Sequence, residues 1–183
     1  MKWLKRVAMV VAALILLPVA ALLVLDFRPG AGTMHASVDI QAPPEQIWQW
    51  IDDGSRLKQW VSWTEDVKPW SPQPGVGAKR SMTMRDENNG GALMVIDSEC
   101  TVYAPPKMVV VKLNVPAVFE GRDSYRLTDL GAGNTRLDLD GSDHFDSPFA
   151  RLMEPLITMA ARKKMEADLA HLKMLVETKA ELR

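Results

Sequence analysis

The residues best equipped for chemistry are two aspartates and a tyrosine on a shared alternation. Asp123 and Asp143 fall on the same parity as Tyr125 and Leu139, so all four point to one face if their segments are strands. A carboxylate taken into an apolar interior needs a partner, and in that setting it can serve as a general base. It can equally lie near a strand end in water. The strand-end reading is preferred, because no second titratable group stands at a spacing that implies a dyad.

Other reactive types are sparse. His35 lies near a Gly/Pro-rich stretch, His144 near a strand end, and His171 follows Asp168 and Lys164 at helical spacing, with no HxxxH-type pattern. Exposed or capping histidine is the expectation, with no metal and no cofactor. Cys100 is the only cysteine, which excludes an intrachain disulfide, and its place in an apolar alternation marks it as a small core hydrophobe. No phosphate-binding glycine loop, GxSxG elbow or HExxH is present. Catalysis therefore has no motif behind it.

Composition narrows the classes further. The 183 residues are 47% hydrophobic and 25% charged, with a net charge of -1, which suits one membrane segment plus one folded domain. Lys2, Lys5, Arg6 and Arg28 against Asp26 make the first 28 residues basic and leave the remainder mildly acidic. An acidic domain without a basic stripe is a poor nucleic-acid binder. Arg162-Lys163-Lys164 reads as the solvated face of a helix.

Val7 to Leu25 is an uncharged apolar run, about 28 Å long as a helix and close to the hydrocarbon thickness of a bilayer. Residues 1–28 are expected to form a membrane anchor with its transmembrane part at 7–25. The positive flank at Lys2, Lys5 and Arg6 puts the N-terminus in the cytoplasm and the domain outside, on the periplasmic face in a bacterium. A cleavable signal peptide is the competing reading, disfavoured by the length of the run.

After a Gly/Pro-rich linker at 29–34, His35–Ile40 alternates as a strand, and Pro43-Pro44 opens a helix carrying Ile47, Trp48 and Ile51. A second short helix through Leu57, Trp60 and Val61 takes Ser55 as its cap. From Trp63 to Ala78 the prolines and glycines predict a loop crossing. Four two-residue periods follow, around Met82 and Met84, around Met94, Ile96 and Cys100, from Val109 to Val115, and from Phe119 to Leu127; Leu137 and Leu139 start a fifth. Asn88-Asn89-Gly90-Gly91 and Gly131-Ala132-Gly133-Asn134 are the hairpin turns. Each strand has one wet face, so the sheet is antiparallel and needs a cover on its other face. Ser147-Pro148 begins that cover, a helix with Leu152, Met153, Leu156, Ile157, Ala160, Leu169, Leu172 and Val176 at helical spacing, which Pro155 should break or kink. The class is α+β.

The order strand, two short helices, antiparallel strands and a closing helix resembles the START-like, or SRPBCC, superfamily of helix-grip proteins. The resemblance is carried by Ser37–Ile40 leading into Ala42-Pro43-Pro44-Glu45-Gln46-Ile47-Trp48, by Trp60, by Pro74-Gly75-Val76-Gly77, by Pro105-Pro106, and by Tyr125–Thr128 with Gly133–Leu137. It spans residues 35–178, the expected domain. It implies a curved sheet gripping the last helix around a cavity that, across the superfamily, takes sterols, phospholipids, polyketides, quinones or plant hormones. The N-terminal segment departs from the soluble members.

The inward face should then present Met82, Met84, Met94, Ile96, Val111, Leu113, Phe119, Tyr125 and Leu139 toward Met153, Leu156, Ile157 and Ala160. Thioethers in an apolar wall suit a flexible apolar guest, although a filled core would show the same alternation. Trp60 and Trp63 flank the loop crossing as gate or packing residues. The expected function is a membrane-tethered binder or carrier of a hydrophobic small molecule or lipid. An enzyme of cyclase or hydratase type using Tyr125 or Asp123 and a protein-interaction module with a filled core are the alternatives. A cavity of about 300 Å³ or more would separate pocket from packed core.

Overall fold

Alternation gives each strand one apolar face, and the chain brings these faces together as a single curled antiparallel sheet closed by its last helix. The computed structural model describes residues 2–26, 32–86 and 90–181. Helix α1 (Lys2–Asp26) precedes β1 (Thr33–Ile40), α2 (Pro44–Asp52), α3 (Gly54–Trp60), β2 (Thr64–Val67), β3 (Lys79–Asp86), β4 (Ala92–Ala104), β5 (Met108–Val115), β6 (Phe119–Gly131), β7 (Asn134–Phe145) and α4 (Pro148–Glu181). The sheet has seven strands in the order β1-β7-β6-β5-β4-β3-β2. Successive strands from β2 to β7 are neighbours, and β1 joins the far edge beside β7. This is the helix-grip arrangement.

Local chemistry explains the connections. Pro43 and Pro44 start α2, which buries Ile47, Trp48, Trp50 and Ile51. Helix α3 is capped by Asp53, whose carboxylate accepts from the Ser55 amide at 2.8 Å, so the cap is Asp53 and not Ser55. A register shift between Cys100 and Val102 interrupts the β4–β5 ladder, and such bulges increase local bend and twist.

The 63–78 segment is only partly a loop. Thr64–Val67 forms the edge strand β2 on β3, too short for its alternation to stand out against the prolines that follow. Residues 32–34 likewise do not belong to a linker: Thr33 and Met34 open β1, opposite Ser142 and Gly141. The rest of the expected linker and the turn residues Asn88-Asn89 lie outside the described residues, although β3 and β4 pair as a hairpin up to Asp86 and Ala92.

Helix α4 runs 34 residues through Pro155 without interruption, about 51 Å of helix. Its grip on the sheet comes from the C-terminal half, where Leu169, Leu172 and Val176 are buried with Ile40, Leu137, Ile47 and Ile51. In the N-terminal half Glu154 is buried beside Gly32 and Asp143, and the apolar residues are only partly covered; α4 also contacts α1. Phe149, Leu156 and Met159 are exposed there, Leu156 at 43%. Leu156 is thus not an inward-facing residue. Helical spacing reveals which stripe of a helix is apolar but not how far along it the sheet reaches.

Helix α1 is apolar from Trp3 to Val24, long enough to cross a membrane, and largely exposed, with Val19 and Leu22 half-buried. Signal sequences and membrane anchors share this character.

Leu172 and Leu156 separate a buried position of α4 from an exposed one. Leu172→Ala should cost about 2–5 kcal/mol of stability by leaving a cavity in the core. Leu156→Ala should stay within about 0.5 kcal/mol. Urea unfolding of the full chain followed by tryptophan fluorescence measures both.

Candidate functional site

Between the curled sheet, α3 and the middle of α4 the side chains do not meet. A cavity of about 200 Å³ lies there, lined from the sheet by Met34, Arg80, Met82, Met84, Ile96, Ser98, Val111, Leu113, Phe119, Asp123, Tyr125, Leu139 and Asp143. Leu57, Trp60 and Val61 close it from the α3 side, and Ala161, Lys164, Met165 and Asp168 from α4. Its volume falls below the roughly 300 Å³ of drug-sized pockets, yet exceeds an apolar cavity of about 150 Å³ that takes benzene. The core is hollow on the scale of one substituted ring. A larger open depression of about 710 Å³, bordered by Lys68, Lys79, Asp97, Glu99 and Lys112, is a wet groove without an apolar enclosure.

Nine of the expected lining residues meet in this cavity: Trp60, Met82, Met84, Ile96, Val111, Leu113, Phe119, Tyr125 and Leu139. Five do not. Met94 packs instead beside Ile96, Val115 and Phe119 in a satellite cluster at the open end of the sheet. Met153, Leu156 and Ile157 lie in the N-terminal half of α4, one to two turns before the lining begins at Ala161. Trp63, held at a positive φ of 69°, sits outside, with the Lys164 ammonium 5.2 Å from its ring centroid. Trp60 is fixed by a 2.9 Å hydrogen bond from its indole N–H to the Trp50 carbonyl, which frees its ring to serve as wall.

The strand-end reading of Asp123 and Asp143 is corrected by the β6–β7 register. Gly121 faces Asp143 and Asp123 faces Gly141, a reciprocal exchange of glycine and aspartate across the ladder. A Cβ on Gly121 would lie 2.5 Å from Asp143 Oδ1, and one on Gly141 3.2 Å from Asp123 Oδ1. Each carboxylate therefore lies over the facing glycine, in space that any side chain would fill. Burial first, and then the Asp143 carboxylate, push the Asp123 pKa up to about 7, with Lys164 opposing. Burial, and then Glu154, raise Asp143 to about 6. The dyad that no sequence spacing betrayed is assembled by strand pairing.

Lys164 does not belong to a solvated run either. Its ammonium bonds Asp168 Oδ2 at 2.6 Å, both side chains being largely buried. Asp168 Oδ1 in turn accepts from the Ser62 amide at 3.1 Å, tying α4 to the segment after α3. The (i, i+4) spacing was visible in sequence; its direction was not.

On the far wall, Arg80 stacks over Trp70 at 4.0 Å and reaches the Asp52 carbonyl at 3.4 Å. The Asp52 carboxylate accepts from Tyr103 at 2.9 Å and from the Trp70 indole at 3.1 Å. Burial, then the Asp52 hydrogen bond, push Tyr103 up to about 12. Arg80 and Ser98 occupy inward parity in sequence, but a charged residue there reads as an exception until its partners are known. Cys100 is buried, and burial raises its thiol pKa, as expected of an inert core cysteine. His35 is an exposed partner of Asp140 at 2.7 Å. Among the described residues no group of His, Cys, Asp and Glu is arranged to hold a metal.

Comparison with known proteins agrees with this geometry. The family model for polyketide cyclase/dehydrase and lipid transport matches residues 31–177. The fold is shared with a protein from Chromobacterium violaceum (17% identity, 80% of this chain and 98% of that one, TM-score 0.63). It is shared equally with a conserved protein from Geobacillus kaustophilus (14%, 79% and 94%, 0.65) and with the Zhui aromatase/cyclase from a Streptomyces species (16%, 81% and 94%, 0.65). No curated protein matches the sequence.

The half-buried carboxylates give stability a pH dependence. Asp123 titrates near pH 4 unfolded and near 7 folded, so between these values the folded state binds more protons and stability falls as pH rises. After allowance for solvent screening, the loss from pH 5 to pH 7.5 should be on the order of 1–2 kcal/mol. Asp123→Asn should flatten it, as measured by urea unfolding at the two pH values.

Proposed function

The chain belongs to the polyketide cyclase/dehydrase and lipid transport family, and from that premise we propose that it binds a small hydrophobic molecule under α4 while α1 tethers it to a membrane. The observation that carries the reading is the cavity of about 200 Å³, walled by thioethers, aliphatic side chains and Trp60. Methionines adapt to a guest's outline, and removing apolar surface from water supplies roughly 25 cal/mol per Å². The volume selects a single ring or a short branched chain. Sterols and intact phospholipids are too large for it.

The tether rests on the length and apolar character of Trp3–Val24, with Lys2, Lys5 and Arg6 before it. The basic flank favours a cytoplasmic N-terminus and a domain on the opposite face. Anchoring keeps the cavity close to a source of apolar molecules and raises their effective concentration.

A second reading, acid–base catalysis of the cyclase or hydratase kind, draws on Asp123. A carboxyl near pKa 7, two residues from Tyr125 on the same strand face, is poised for proton transfer at neutral pH. An aromatase/cyclase among the structures of similar fold makes that chemistry worth testing.

The full chain, extracted in mild detergent, should yield a co-purifying small molecule by mass spectrometry. Leu139→Trp, which fills the cavity, should lower the bound amount about tenfold or more. Repeatedly empty preparations that also ignore small aromatic probes would sink the binder. Retention in the membrane fraction after alkaline extraction tests the tether, and release of the chain with its first residues removed would instead establish a cleaved leader.

A further inference from the structure

An apolar guest alone leaves one end of the cavity unsatisfied. Asp123 and Asp143 lie there side by side on β6 and β7, each lodged over the other strand's glycine. The cations nearby are already committed: Lys164 to Asp168 at 2.6 Å, and Arg80 to the Trp70 ring and the Asp52 carbonyl. Tyr125 stands two residues along β6 on the same face, only 9% exposed, and its hydroxyl has no hydrogen-bond partner among the described residues. Two carboxylates that share only the already paired Lys164, beside a tyrosine hydroxyl open to the cavity, form a receptor for a donor-rich positive group.

We infer that this end of the cavity takes the ammonium of a small amphiphilic amine, a protonated primary amine on one apolar ring, with Asp123 and Asp143 as counter-charge and the Tyr125 oxygen as a further acceptor. The inference rests on reading the cavity as a ligand site and specifies the ligand's polar end. The apolar ring would lie against Met82, Ile96, Val111 and Trp60, and the volume admits one such ring and little more.

Charge balance selects the cation. Asp143 from β7 and Lys164 from α4 act on Asp123; Asp123, Arg80 from β3 and Asp168 from α4 act on Tyr125 beside it, and Glu154 acts on Asp143. A carboxylate ligand would add a like charge to this group, and a neutral ligand would leave Asp123 half protonated at neutral pH. An ammonium lets both aspartates ionise, and the displaced proton leaves to solvent.

The test uses the full chain in detergent with three probes of nearly equal size: 2-phenylethylamine, 2-phenylethanol and phenylacetate. At pH 7.5 the amine should bind at least about tenfold more tightly than the other two. Its affinity should fall about tenfold toward pH 5, with close to one proton released per amine bound, read by calorimetry in buffers of different ionisation enthalpy. In Asp123→Asn and, independently, Asp143→Asn, each checked for cooperative unfolding, the preference for amine over alcohol should shrink to within about twofold. Equal binding of amine and alcohol by the unsubstituted chain, or tighter binding of phenylacetate, overturns the amine while leaving the cavity as a ligand site. Failure of all three probes to bind removes the ligand-site reading as well.

Discussion

The structure depends on a mismatch of shapes between a curled sheet and one long continuous helix. An antiparallel sheet with one wet face must bury the other, and α4, about 10 Å across with its side chains, packs on it against β1 and β7. At one end the match is close: Leu169, Leu172 and Val176 interdigitate with Ile40, Leu137 and the α2 residues Ile47 and Ile51. Further along, the sheet bends away and α4 presents Ala161, Lys164 and Met165, side chains that do not fill the gap. Helix α3 and Trp60 close the side without closing the space. A hollow core is the outcome of that geometry.

The hollow in turn governs the electrostatics. Carboxylates on β6 and β7 would sit harmlessly in water if the sheet were flat and open. Curled under α4, they lose solvent, and the glycines opposite them leave room to lie flat against the ladder without being pushed out. Lys164 and Asp168 neutralise each other at the cavity edge and Asp168 also accepts from the Ser62 amide, so one largely buried ion pair fixes the approach of α4 to the segment after α3. Breaking such a pair by removing one partner is costly, because the other charge is left behind.

A fold shared at 14–17% identity shows the architecture and not the function. What is particular to this chain's cavity is the set of side chains that interrupt its apolar wall. Here these are Asp123, Asp143, Tyr125, Lys164, Asp168, Arg80 and Ser98, an unusually polar set for so small a space.

The sequence by itself determined the class of fold and the order of its elements, because two-residue and helical periods, proline starts and Asn/Gly turns are local physics. It also determined which strand faces are apolar, and so eight lining residues from Met82 to Leu139. It could not supply lengths of overlap: the repeat that made Leu172 a core residue made Leu156 look like one, and only the end of the sheet separates them. Nor could it supply pairings across the ladder. Asp123 and Asp143 are twenty residues apart in the chain, and what makes them a pair is the β6–β7 register, a relation between strands that no periodicity within either strand encodes.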